Sequence, residues 1–220
     1  MIKETMTIAL PKGRLLSPAI RLFGRCGMNH RELTTNTRRL IFEDHGRSWR
    51  FVIVRDRDVP TYVEYGAADM GVVGKDVLLE EDRDVYEPLD LKFGHCRLIL
   101  AQPNTTGRKR LSLSSKIRVA TKYPNTTERY FSEKGLAVEI IKLYGSIELA
   151  PWAGLAEQIV DLVASGRTLR EHHLTAVETI AVSTARLIVN RASLKLKYQR
   201  VTELIRRLRE KTEASSRGLN

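Results

Sequence analysis

Three short segments combine glycine, hydroxyl and cationic residues in a way that suits an anion. The first is IVDLVASGRTL, residues 159–169. An apolar stretch runs into Ser165, Gly166, Arg167 and Thr168. Glycine permits a tight turn and lets backbone amides approach an oxyanion closely. The hydroxyls of Ser165 and Thr168 add donors, and a helix starting there would turn its N-terminal amides toward a phosphate. Asp161, earlier on the same stretch, is placed to accept hydrogen bonds from vicinal sugar hydroxyls. The same residues also read as a plain strand-to-helix turn. The second segment is LPKGRLL, residues 10–16, where Lys12, Gly13 and Arg14 follow a predicted strand. Two cations beside a glycine at the carboxyl end of a strand make an anion site, although a basic surface loop has the same composition. The third is GAADMGVVGKD, residues 66–76. Its glycines fit neither GxGxxG nor GxxxxGK[ST]. Gly71 and Gly74 leave room for a planar base against the backbone, but taken alone the segment reads as a structural turn.

Other chemistries lack their usual pattern. The five histidines, His30, His45, His95, His172 and His173, do not have metal-ligand spacing, and the adjacent pair reads as a solvated helix surface. There is no GxSxG elbow. Cys26 and Cys96 form no CxxC pair and are too few for a disulfide scaffold, so a reducing cytoplasm is expected. No apolar run approaches the roughly 20 residues of a membrane helix, and the first ten residues do not resemble a secretory signal. The formal net charge is +11 over 220 residues, and residues 186–220 carry +7 of it. That tail reads first as a solvated helix face. Nucleic-acid binding is the sharper alternative, weakened by an aromatic content of 6% and the lack of a recognisable module.

The elements that must position these segments alternate. Residues 6–10, 51–54, 70–73, 96–101, 117–121, 138–143 and 158–163 read as strands. Helices are expected from Ser17 as N-cap with Pro18 at the first helical position, over 60–65, over 126–134 with Gly135 as C-cap, and over 193–211. The last carries a stripe of Leu194, Leu196, Val201, Leu204, Ile205 and Leu208. Such alternation predicts an α/β fold with largely parallel sheets. The polar, basic stretch 103–116 marks a domain junction.

Taken together the segments resemble the short-form ATP phosphoribosyltransferase family. Glu148, Gly154, Ala156, Ile159, Asp161, Leu162, Ser165, Gly166, Thr168 and Leu169 fall without a gap on its signature, E-x5-G-x-[SAG]-x2-[IV]-x-D-[LIV]-x2-[ST]-G-x-T-[LM]. LPKGRL, TRRLIF (37–42), DVPTYVEYGAADMGVVGKD (58–76), DLKFGHCRL (90–98), ATKYPN (120–125), IKLYGSIELAP (141–151) and ARLIVNRASLK (185–195) extend the likeness over about residues 6–200. Two features depart from it. His172 and His173 stand where the family more often has an Asn-containing pair, and the linker after Pro103 is unusually basic.

The resemblance implies two α/β domains around a cleft, of the periplasmic-binding-protein-like type II fold. Residues 1–102 with 182–220 would form domain I, and 103–181 domain II. It implies transfer of phosphoribosyl from phosphoribosyl pyrophosphate to ring nitrogen 1 of ATP, with release of pyrophosphate, at the first step of histidine biosynthesis. Ala164, Ser165, Gly166, Arg167, Thr168 and Leu169 would hold the donor's 5′-phosphate, and Glu148 and Asp161 its ribose hydroxyls. Arg14 and Arg38, assisted by Lys12, would stabilise the departing pyrophosphate. Gly13, Asp69, Gly71, Gly74, Lys75 and Asp76 would shape the ATP site. Magnesium would be held mainly by substrate phosphates. Partners implied are a second catalytic subunit and a regulatory subunit resembling histidyl-tRNA synthetase, in the cytoplasm, with neither membrane nor nucleic acid. A non-catalytic binding protein of the same architecture, a nucleic-acid-binding protein using the tail, and an inactive paralogue remain as alternatives.

Overall fold

The computed structural model describes residues 5–28, 39–44, 48–104 and 116–217. Its chain divides into two compact units, residues 1–94 with 184–220, and residues 95–183.

The first unit is a six-stranded sheet of β1 (Met6–Pro11), β2 (Ile41–Glu43), β3 (Trp49–Val54), β4 (Met70–Gly74), β5 (Tyr86–Asp90) and β11 (Ala185–Val189), in the order β2-β3-β1-β4-β11-β5. Helices α1 (Leu16–Arg25), α2 (Val59–Glu64), α3 (Lys75–Glu81), α6 (Arg191–Leu196) and α7 (Tyr198–Arg217) belong to it. The second unit has β6 (Cys96–Pro103), β7 (Ile117–Thr121), β8 (Val138–Lys142), β9 (Gln158–Val163) and β10 (Leu174–Ser183), in the order β10-β6-β9-β7-β8. It carries α4 (Pro124–Glu133) and α5 (Arg167–Glu171).

Both sheets are mixed, which corrects the expectation of largely parallel ones. β1 pairs in parallel with β3 and β4, and β7 with β8 and β9. The pairs β2·β3, β4·β11, β5·β11, β6·β9 and β6·β10 are antiparallel. The expected boundary at residue 102 falls at the far end of β6, a strand hydrogen-bonded to β9 and β10 of the second sheet.

Each sheet is covered on both faces, as parallel-containing sheets require. In the first unit, α1 and α7 share a core with Ile8, Leu10, Phe51 and Leu187, while α2 and α3 pack with Ala9, Val73 and Ile188 on the other face. Helix α1 reads Leu16, Ala19, Ile20, Phe23 along one stripe, and all four are buried. Phe23 meets Phe51 edge-on with ring centroids 5.8 Å apart, and each such buried ring contributes about 1.5–3 kcal/mol. Helix α1 begins at Leu16, so Ser17 lies inside its first turn and does not cap it. The predicted C-terminal helix is two. Asn190 caps α6 by accepting from the Ser193 amide at 2.8 Å, and the chain breaks at Lys197 before α7. The break leaves Leu196 exposed, out of the stripe that Val201, Leu204 and Leu208 bury.

Candidate functional site

The second sheet builds its site at the carboxyl ends of β7 and β9. The chain runs from β7 through α4 to β8, then returns to the other side of β7 as β9. Such a reversal of direction leaves a crevice outside the strand ends, where α/β proteins bind ligands. Thr121 pairs with Val160 in parallel register, so the next residues, Lys122 and Asp161, stand level with each other. The turn beneath them is locked. The Thr121 hydroxyl donates to the Val160 carbonyl at 2.8 Å and accepts the Tyr123 amide at 2.9 Å. Thr127 adds a hydroxyl contact to Thr121 at 3.4 Å.

Asp161 is half-buried. Burial pushes its carboxyl above the usual carboxylate range, and the charge of Glu148 pushes the same way, while the Leu162 amide and the Lys122 ammonium pull it down. Glu148 lies on a 3-10 turn, Ile147–Leu149, whose Ile147 is sunk in the core. Beyond Asp161, β9 ends at Val163 and the chain turns through Ala164, Ser165 and Gly166 into α5. Gly166 has φ +74°, a left-handed conformation that other residues adopt at a cost. Ala164 and Ser165 are exposed, and the Ser165 hydroxyl accepts the Arg167 amide at 3.4 Å. Arg167 is tied at 2.7 Å to Glu171 on the exposed face of α5, beside the exposed Thr168. Leu169 points into the core with Ile159 and Leu174, where it anchors the turn.

The first sheet repeats this grammar. From β1 the chain passes to β3 on one side, then to β4 on the other. The Lys12 amide donates to the Val54 carbonyl at 2.8 Å, continuing the β1·β3 ladder, and the chain turns at Gly13 with φ +90°. Lys12, Gly13 and Arg14 are exposed there, and the Arg14 guanidinium donates to the Gly94 carbonyl at 2.9 Å. Gly74 ends β4, the strand beside β1, and Lys75 and Asp76 follow it. The Lys75 ammonium is 2.6 Å from Glu87, which also meets Arg186 at 3.3 Å. The Asp76 carboxylate folds back on Gly74, and a Cβ there would sit 2.3 Å from its Oδ1.

Two of the residues expected around ATP are placed elsewhere. Asp69 precedes β4, at its amino end, and is buried. Its carboxylate accepts from the Thr7 amide at 2.8 Å, the Ser193 hydroxyl at 2.6 Å and the Lys197 ammonium at 2.9 Å. That set saturates it as a tie between β1, β4 and α6. Gly71 is packed by α2, for a Cβ would lie 2.7 Å from Val59 and 2.9 Å from Val63, so on that side its missing side chain accommodates the helix. Arg38 lies outside the described residues.

Lys122 is the functional candidate that sequence reasoning passed over. Its signal was present, since a strand, a lysine and a helix follow one another there as β1, Lys12 and α1 do. In the basic tail, Arg206 is held by Glu203 and Glu210 and Arg207 by Glu203, all on exposed helix surface. Cys26 and Cys96 are buried and take part in no disulfide. No described helix is long and apolar enough to cross a membrane.

Comparison with known proteins gives a consistent result. A family model described as ATP phosphoribosyltransferase matches residues 55–210. The chain is 60% identical over 203 residues to ATP phosphoribosyltransferase 2 of Geobacter sulfurreducens, covering 92% of this chain and 96% of that one. It is 57% identical to the ATP phosphoribosyltransferase of Syntrophotalea carbinolica, over 94% of this chain and 95% of that one. Among solved structures, the HisG:HisZ ATP phosphoribosyl transferase complex from Thermotoga maritima includes a chain with TM-score 0.81 and 34% identity, covering 96% of this chain and all of that one. The periplasmic aliphatic sulphonate binding protein of Escherichia coli has TM-score 0.61 at 10% identity, covering 98% of this chain and 76% of that one, a likeness of fold alone.

Proposed function

The chain belongs to the ATP phosphoribosyltransferase family, and we propose that the carboxyl edge of its second sheet takes the ribosyl donor while that of its first takes ATP. The reaction transfers phosphoribosyl from phosphoribosyl pyrophosphate to ring nitrogen 1 of ATP, the first step of histidine biosynthesis. The C–O bond to pyrophosphate breaks and the N–C bond forms at the anomeric carbon. Negative charge grows on pyrophosphate, and the ribose becomes oxocarbenium-like. Such a step needs placed cations and rigid positioning more than a covalent nucleophile.

The turn from Ala164 to Gly166 and the start of α5, with Arg167 and Thr168, hold the 5′-phosphate through backbone amides and hydroxyls. Leu169 anchors that turn. Asp161 and Glu148 accept from the ribose hydroxyls, and Lys122 balances the charge of Asp161. Arg14 and Lys12, with Arg38, face the phosphates. Gly13 and residues 74–76 shape the ATP side. Magnesium, when bound, neutralises pyrophosphate charge and is held mainly by the substrates' own phosphates.

One observation carries the donor assignment: Asp161, Lys122 and the left-handed turn at Gly166 gather at the reversal point of the second sheet. The subunit works in the cytoplasm as a homodimer with a regulatory subunit resembling histidyl-tRNA synthetase; the likeness to the Thermotoga maritima HisG:HisZ complex supports the regulatory partner. The test is to mix the protein with ATP, magnesium and phosphoribosyl pyrophosphate, and to follow product absorbance together with pyrophosphate release. Both should form in step. Their absence even with a regulatory subunit supplied would overturn the reading in favour of a binding protein.

A further inference from the structure

We propose that His172 is the positioning residue of Glu148, holding one carboxylate oxygen so that the other is presented to the donor's ribose. The inference rests on the reading that Glu148 binds that ribose. The His172 Nε2 lies 4.0 Å from Glu148 Oε1, with the two side chains 33% and 24% exposed. That separation is at the outer limit of an ion pair, and the ring must move about 1 Å toward the carboxylate to donate a hydrogen bond to it.

The backbone around His172 is pinned from several directions. Its amide donates to the Thr168 carbonyl at 3.1 Å, and its carbonyl accepts from the Trp152 indole at 2.9 Å. The next residue, His173, is left-handed at φ +51°, and its carbonyl accepts the Asn104 amide at 2.8 Å. The ring therefore starts from a fixed point directly after α5. Histidine tolerates this left-handed geometry better than most residues.

Glu148 needs such a partner. Its charge repels that of Asp161 on β9, a like charge. Lys122 offsets Asp161, and the His172 ring, 4.0 Å away, is positioned to serve Glu148. Two carboxylates for vicinal hydroxyls are thus each served by their own nitrogen group. A carboxylate that kept both oxygens free would have to be ordered by the substrate at the moment of binding, at a cost in affinity.

The experiment is calorimetric titration of the full-length protein with magnesium phosphoribosyl pyrophosphate, for the wild type, Glu148→Gln, His172→Ala, His172→Phe, His172→Gln and the Glu148→Gln/His172→Ala double variant. Losing a partly exposed charged contact of this kind should raise the donor Kd about 3- to 10-fold in His172→Ala and His172→Phe. His172→Gln, which keeps an N–H donor, should recover most of it. ATP affinity and the thermal midpoint should stay at wild-type values, and His172→Ala should add nothing once Glu148 is Gln. If Glu148→Gln leaves the donor Kd unchanged, the ribose reading itself is wrong. If Glu148→Gln weakens binding but His172→Ala does not, or His172→Phe recovers as well as His172→Gln, the positioning role is overturned.

Discussion

Replacing Asp161 by Asn should weaken donor binding and raise thermal stability at neutral pH, a combination that a merely structural carboxylate would not give. The side chain keeps its size, so the packing around β9 is preserved. What changes is charge. A hydrogen bond to an ionised acceptor is worth about 1.5–3 kcal/mol, which corresponds to about 10- to 150-fold in Kd. The remaining amide oxygen still accepts, so the lower part of that range is expected. The stability effect has the opposite sign. Burial raises the Asp161 carboxyl above its unfolded value, so the folded chain binds the proton more tightly than the unfolded one. Folding stability then falls as pH rises from the ordinary carboxylate range through the raised folded value, and stays lower above it. Asparagine removes that loss. Thermal midpoints of the ligand-free variant should exceed the wild type near pH 7 and converge with it as pH falls to about 4. Melts across that range, paired with titration by magnesium phosphoribosyl pyrophosphate, read both effects. A variant that binds donor within threefold of wild type, or melts lower at neutral pH, would refute the argument.

Other substitutions separate chemistry from packing. Arg14→Ala should depress turnover about 100- to 1000-fold while leaving substrate affinities much less changed, and a wild-type turnover number would remove Arg14 from leaving-group stabilisation. Gly71→Ala should destabilise by about 1–3 kcal/mol, because its methyl collides with Val59 and Val63 of α2. The midpoint should drop by about 2–4 °C for each kcal/mol, with ATP affinity retained by the folded fraction; a specific loss of ATP binding at unchanged stability would return Gly71 to the nucleotide site. Gly166→Ala forces a Cβ into a left-handed turn at φ +74° with no neighbour nearer than 3.9 Å. It should cost about 1–2 kcal/mol of local strain and weaken donor binding, and an unchanged donor Kd would show that the turn does not need its left-handed form.

The order of strand, basic glycine turn and helix at residues 6–25, and of strand, glycine turn and helix at 158–171, was legible in the chain because hydrophobic period and glycine placement are local properties. So were Asp161 and the turn at 164–166, where a short window holds the whole signal. Pairing was not legible. Strand β11 reads as another apolar run, and only the fold inserts it antiparallel between β4 and β5. Asp69 and Gly71 lie a few residues from Gly74, yet β4 carries them to its amino end and its interior, where Lys197 and Val59 take them up. Lys122 is separated from Asp161 by 39 positions in the chain, and parallel register alone sets them side by side. His172 likewise comes within 4.0 Å of Glu148 only in the fold, although both residues lie off the strands. A sequence fixes which residues can bind an anion or a sugar through their type and local spacing; which of them face a substrate depends on strand register and on what fills the space around each side chain, and those follow from contacts between distant parts of the chain.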